Sequence, residues 1–139
     1  MMNLSENFTL EELCVTKNSN FRAMQMSPNP IVVDNLKRLC SAILQPLRNH
    51  LQRPLTVNSG YRSEMLNKYV KGAANSYHIY GCAADLKMDN WKMAYECAAF
   101  VASNCPFNEC ILSCNKHSIW LHVAYRLGDT KNYVGFQQY

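Results

Sequence analysis

A chain of 139 residues with 48% hydrophobic and 17% charged side chains is long enough to bury a core of its own without disulfide or metal staples. Its formal net charge of +4 comes from scattered lysines and arginines, which argues against a nucleic-acid footprint. No apolar stretch approaches membrane-spanning length, and the polar start Met1-Met2-Asn3-Leu4-Ser5-Glu6-Asn7 lacks the apolar segment of a signal peptide. The expectation is one domain over residues 1–139, made in the cytoplasm and not inserted in a membrane.

Thr9-Leu10-Glu11-Glu12 has capping-box form and predicts a short helix. A loop is expected from Ser19 to Pro28. Asn29-Pro30 then opens the longest helix, with Val33, Leu36, Leu39, Cys40, Ile43, Leu44 and Leu47 at helical spacing. Pro46 is expected to kink or break it before Leu51. Leu55 to Asn58 reads as a strand, Glu64 to Val70 as a helix, and Lys71 to Tyr80 as loop. Ala83 to Met88 is a strand, and Asp89 is the candidate cap of a helix burying Ala94, Cys97, Ala98 and Val101. Two further strands, Glu109 to Ser113 and Trp120 to Tyr125, flank the polar segment Cys114 to Ser118. The pattern is α+β: helices packed on a small antiparallel sheet. Seven cysteines form no Cys-x-x-Cys pair and read as small buried hydrophobes.

Strand alternation assigns Leu121, Val123 and Tyr125 to one face, and Trp120, His122 and Ala124 to the other. In the Ala83 strand, Leu86 and Met88 go with the core, while Ala83, Asp85 and Lys87 face away. His122 and Asp85 therefore share the non-core face, and His78 arrives from the preceding loop. Two imidazoles and a carboxylate form the kind of set that holds a hydrolytic zinc ion with one open position.

The words around these residues are Ser59-Gly60-Tyr61-Arg62-Ser63, Leu66-Asn67, Lys71-Gly72-Ala73, Ser76-x-His78-x-x-Gly81-x-Ala83-x-Asp85 and Trp120-Leu121-His122. Together they resemble the zinc D-Ala-D-Ala carboxypeptidases and their phage-type peptidoglycan endopeptidase relatives. The resemblance extends upstream to Phe8-Thr9-Leu10-Glu11-Glu12-Leu13 and downstream to Arg126. It implies a hedgehog/DD-peptidase-like fold, Zn2+ held by His78, Asp85 and His122, and a hydrolase acting on peptidoglycan stem peptides at the cell wall. It also implies that Arg62 and Ser76 help hold the substrate's carboxylate end. Compact forms of this family look like those carried by phages, as endolysins, or by mobile elements of their hosts.

One departure stands out. The family pattern Phe-Asp-Gln-Leu-Ile-x-Glu ends on the general base, whereas this chain reads Phe107-Asn108-Glu109-Cys110-Ile111-Leu112-Ser113. Ser113 stands at the base position, and a hydroxyl is no base at neutral pH. Glu109 shares the strand face but lies four residues away, roughly 13 Å along a strand. A lost general base costs about 10²–10⁴ in rate. His117, in the segment before Trp120, is a candidate substitute base, and solvent is another. The alternatives to an active peptidase are a zinc-containing peptidoglycan-binding module and a virion-associated structural protein with an inherited fold.

Overall fold

The computed structural model describes residues 2–139. The chain opens with a small hairpin of β1 (Asn3–Ser5) and β2 (Phe8–Thr9), which the sequence reading did not anticipate. The capping box at Thr9 forms as expected: its hydroxyl accepts from Glu12 N, the Glu12 carboxylate accepts from Thr9 N, and α1 (Leu10–Leu13) follows. Within the expected loop from Ser19, a 3₁₀ turn (Ser19–Phe21) leads into α2 (Arg22–Gln25).

Asn29 caps α3 (Pro30–Leu39) through its side chain, with proline in the first turn. Pro46 does not break this helix. The chain widens into a π turn over Cys40–Leu44, in which Gln45 N reaches back five residues to the Cys40 carbonyl, and then continues as α4 (Gln45–Leu51). Pro46 has no N–H to give, and in a straight α-helix its ring would crowd the carbonyl four residues back. A wide turn just upstream loosens the helix where that crowding would fall.

Five strands follow the order β3-β4-β6-β5-β7: β3 (Val57–Ser59), β4 (Ala83–Met88), β5 (Glu109–Cys114), β6 (Ile119–Ala124) and β7 (Tyr133–Gln138). From β3 to β5 all neighbours are antiparallel, as expected. The unanticipated β7 joins β5 in parallel, pairing Glu109 with Tyr133 and Ser113 with Gln137. The α+β class stands, with a mixed rather than purely antiparallel sheet. Between β3 and β4 lie α5 (Glu64–Tyr69), capped by Ser63, and a 3₁₀ turn (Tyr77–Tyr80) where plain loop was expected. The helix α6 (Trp91–Asn104) is capped by Asn90, whose side chain accepts from Met93 N at 2.8 Å, and not by Asp89. Asp89 instead pairs with Arg53 at 3.4 Å.

One face of the sheet is apolar. Leu86, Leu121 and Val123 meet Leu36, Leu39, Ile43, Leu44 and Leu47 of the long helix and Ala94, Cys97 and Val101 of α6, all fully buried. The cysteines are free, and burial raises the thiols of Cys14, Cys82, Cys97 and Cys110 to about 11, which leaves them protonated and inert. No helix among the described residues is long and apolar enough to cross a membrane. The opposite face of the sheet carries Asp85, Ile111, Ser113, Trp120 and His122, the side left open for chemistry.

Helix α3 also supports the 3₁₀ turn. Asn35 Nδ2 donates to the Tyr80 carbonyl at 2.9 Å, and Gly81 closes the turn at φ +74°. A Cβ on Gly81 would lie 2.8 Å from the Val32 carbonyl oxygen. Gly81→Ala is therefore expected to cost about 1–2 kcal/mol for the left-handed backbone. Overlap with α3 adds about 1–3 kcal/mol more. A urea titration checks the sum through a lowered midpoint with an unchanged slope.

Candidate metal centre

The site is built on a turn that the chain holds unusually close. At Gly60 an added Cβ would sit 2.3 Å from the Leu13 carbonyl oxygen, so only glycine lets the two backbones approach. Tyr61 N donates to that same carbonyl at 2.7 Å. The fully buried Gln25 fastens the turn from the other side, donating to the carbonyls of Cys14 and Tyr61 and accepting from Ser63 N.

This turn presents the Gly60 carbonyl to His78 Nδ1 at 2.7 Å. A carbonyl can only accept, so Nδ1 carries the proton and Nε2 keeps its lone pair. Arg62 N donates to the His78 carbonyl at 3.0 Å, and Ser76 Oγ accepts from His78 N at 3.2 Å. Backbone and ring are thereby fixed together. His78 Nε2 lies 3.4 Å from Asp85 Oδ1, and His122 Nδ1 lies 2.9 Å from the same oxygen. One donor atom from each of these residues falls within 4.8 Å of the others. The sheet register explains the convergence, because Asp85 of β4 sits directly opposite His122 of β6.

This donor set fits a zinc ion. Both imidazoles have their outer nitrogens engaged by fixed acceptors, Gly60 for His78 and Glu109 for His122. The inner nitrogens face one shared carboxylate, leaving room for a fourth, exchangeable position.

The three donors open into a cavity of about 390 Å³ that also admits Arg62, Ser76, Ser113, Trp120 and Tyr139. The chain matches the peptidase M15 family over residues 6–124. It belongs to that family. A 44-residue segment is 52% identical to the zinc D-Ala-D-Ala carboxypeptidase of Streptomyces albus G, covering 31% of this chain and 17% of that protein. The match thus spans less than a fifth of the relative's length.

In this M15 chain Arg62 reaches the cavity from behind the donors. Its Nε is buried without a hydrogen-bond partner among the described residues. Gly72 keeps its path clear, since a Cβ there would lie 2.8 Å from Arg62 Nη1. Ser113 is buried in the cavity wall opposite Trp120, with its Oγ donating to the Ile111 carbonyl at 3.4 Å. His117 is not brought to this cavity. It lies in the β5–β6 turn, beside Lys87 and Trp91, and the Asn115 side chain pins that turn by accepting from His117 N and Ser118 N.

Two features escaped the sequence reading. Glu109 is as far from Ser113 as expected and does not approach the open side of the donors. Its Oε1 accepts from the outer nitrogen of His122 at 2.8 Å, while Lys131 Nζ donates to its Oε2 at 2.6 Å. The signal was available, since Glu109 pairs with Ala124, which makes His122 its diagonal neighbour on the same face. The second feature is Tyr139, just past β7, whose ring stacks on Trp120 with centroids 5.5 Å apart. The sequence reading assigned no element to residues 126–139.

The charges are strongly coupled. Burial opposes a charge on His122, but its bonds to Asp85 and Glu109 prevail and raise its pKa to about 9. Burial likewise works against the carboxylates. For Glu109 the bonds from His122 and Lys131 win, bringing it to about 2, and for Asp85 the two histidines hold it well below the usual range. The signs give a window for protein stripped of metal with a chelator. His122 contributes stability that is complete below about pH 6.5 and is lost as pH rises through about 9. Glu109 and Asp85 contribute stability that is complete above about pH 4.5 and is lost on acidification. Stability of the stripped protein should therefore peak between about pH 4.5 and 6.5. Urea midpoints measured against pH check this, and His122→Ala should flatten the alkaline limb.

Proposed function

We propose that this chain is a zinc-dependent D,D-peptidase acting on peptidoglycan stem peptides at the cell wall. In this reading His78, Asp85 and His122 are the metal ligands, and Arg62 and Ser76 hold the substrate's carboxylate end. The observation that carries it is the convergence of the three donors beside a guanidinium whose buried Nε has no partner of its own. A structural arginine would spend its donors on carbonyls or a carboxylate. Arg62 leaves its buried Nε unspent, and the residue lines the cavity, where the planar fork of a guanidinium suits an anion brought by a ligand. That favours a free terminal carboxylate, and so the carboxypeptidase form over the endopeptidase form. The relative named for D-Ala-D-Ala carboxypeptidase supports the same substrate class.

Zinc, when bound, acidifies a water toward neutral pH and polarises the scissile carbonyl. The protein's own residues do the rest. Arg62 aligns the terminal residue, the Ser76 hydroxyl is placed to donate beside it, and Trp120 with Tyr139 walls the cavity. No carboxylate or imidazole lines that cavity apart from the three donors. Ser113 at the usual base position takes up no proton at neutral pH, so the proton passes to solvent and turnover is slow. The same observation favours a second reading, a zinc-containing module that binds stem peptides without cleaving them.

The deciding assay incubates synthetic stem peptides ending in D-Ala-D-Ala with zinc-loaded protein and follows D-Ala release by mass spectrometry. We expect one zinc per chain and slow, zinc-dependent release that His122→Ala abolishes. Ser113→Glu should raise the rate by about 10-fold or more, since a positioned base supplies about 10²–10⁴. Peptide bound without release in both forms identifies the binding module, and zinc retained in full by His78→Ala and His122→Ala removes the ligand assignment.

Arg62→Lys is expected to weaken binding of the same peptides about 10-fold or more, because a lysine cannot present the bidentate fork. Zinc content should not change. Calorimetry on the zinc-loaded variant, with metal analysis of the same sample, checks both halves.

A further inference from the structure

The cavity accounts for the inner nitrogen of His122, but a second set of contacts governs its outer one. Glu109 Oε1 lies 2.8 Å from His122 Nε2, and Lys131 Nζ lies 2.6 Å from Glu109 Oε2. Glu109 is largely buried, with 14% of its side chain exposed, so the carboxylate is held rather than solvated. Lys131 is delivered by a loop with its own fastening. The buried Asn108 donates from Nδ2 to the carbonyls of Asp129 and Lys131 at 3.1 and 2.8 Å, and its Oδ1 accepts from Arg126 N at 2.6 Å. The Asp129 carboxylate then accepts from Lys131 N at 2.9 Å. All three of Arg126, Asp129 and Lys131 lie beyond the stretch that matches the family.

We infer that Glu109, charge-balanced by Lys131, is the positioning residue for His122, fixing the tautomer and ring angle that aim its Nδ1 into the metal centre. The inference rests on the zinc reading above. A carboxylate can only accept, so the contact assigns the proton to Nε2 and frees Nδ1 for a metal. Without the acceptor the neutral ring has two tautomers and a freer χ2 angle, and one tautomer points a proton at the metal position. Lys131 keeps a second negative charge near Asp85 from being felt at full strength. The chain supplies this support from its own C-terminal segment, so the quality of the metal centre depends on residues outside the matched region. Outer contacts of this kind typically change metal affinity by about 10- to 100-fold.

The test is zinc affinity, measured by chelator competition at fixed pH, on wild type, Glu109→Ala, Glu109→Gln and Lys131→Met. It is read together with the nitrogen-resolved proton spectrum of the zinc-loaded forms. Wild type should show a slowly exchanging His122 Nε2–H. Glu109→Ala should lose that signal and bind zinc about 10- to 100-fold more weakly. Glu109→Gln, whose amide oxygen still accepts, should keep the signal and recover much of the affinity, and Lys131→Met should lose a smaller part. If Glu109→Ala does not fold, the Gln and Met variants carry the comparison, and both matching wild type in affinity overturns the proposal. Folded Glu109→Ala with wild-type affinity and an intact Nε2–H signal overturns it too, while leaving the peptidase reading in place. Wild type that takes up no zinc overturns both.

Discussion

The hydrogen bond from His78 Nδ1 to the Gly60 carbonyl joins the donor cluster to one of the closest backbone approaches in the molecule. It exists only because Gly60 lies against the Leu13 backbone, and that approach exists only because Gln25 and Tyr61 N lace three segments together. From the other side, Gly81 and Asn35 hold the 3₁₀ turn against α3. The orientation of one imidazole is thus a global property, shared by α1, α2, the long helix and the sheet. Few of the residues responsible touch the cavity.

The second imidazole is held by a different kind of constraint. His78 faces a neutral carbonyl on its outer side, whereas His122 stands between two carboxylates. With zinc absent, a proton on His122 balances that charge, and Lys131 balances the remainder. A metal held at Nδ1 would take the place of the proton there, and the outer contact from Nε2 to Glu109 would remain available. A neutral anchor for one ring and a charged anchor for the other make the two histidines unequal donors.

The parts of the fold legible in the sequence are those set by short-range patterns. The capping box at Thr9, the Asn29-Pro30 start, the strands around Asp85 and His122 and the core stripe of the long helix follow from periodicity and cap chemistry. The convergence of Asp85 and His122 was legible because alternation put them on one face. What escaped depends on partners distant in sequence. The strand β7 has weak alternation and is stabilised by pairing with β5, which no local pattern shows. Asn90 rather than Asp89 caps α6 because the strand ends at Met88 as expected but the helix begins only at Trp91. His117 was a candidate through its nearness in sequence to Trp120, but a hairpin turn points along the sheet, away from the face beside it. Glu109 was weighed only along its own strand, while its role lies diagonally across to the next.

The parallel edge strand sets the outer wall of the cleft apart from the three donors. β5 and β6 are consecutive and antiparallel, so they can close as a local hairpin, bringing His122 beside Asp85 once β4 docks. β7 starts at the end of the sheet where β6 finishes, but on the far side of β5, with Ala124 and Tyr133 both opposite Glu109. Its pairing closes a longer loop for its contacts, and parallel pairing is slightly weaker per residue. Tyr139 follows this exposed edge strand, so the wall it forms with Trp120 rests on the part of the sheet with the least buried contact. The three donors sit in the well-packed part of this cleft, and its outer wall is a removable panel on an exposed strand whose shape can change without disturbing them.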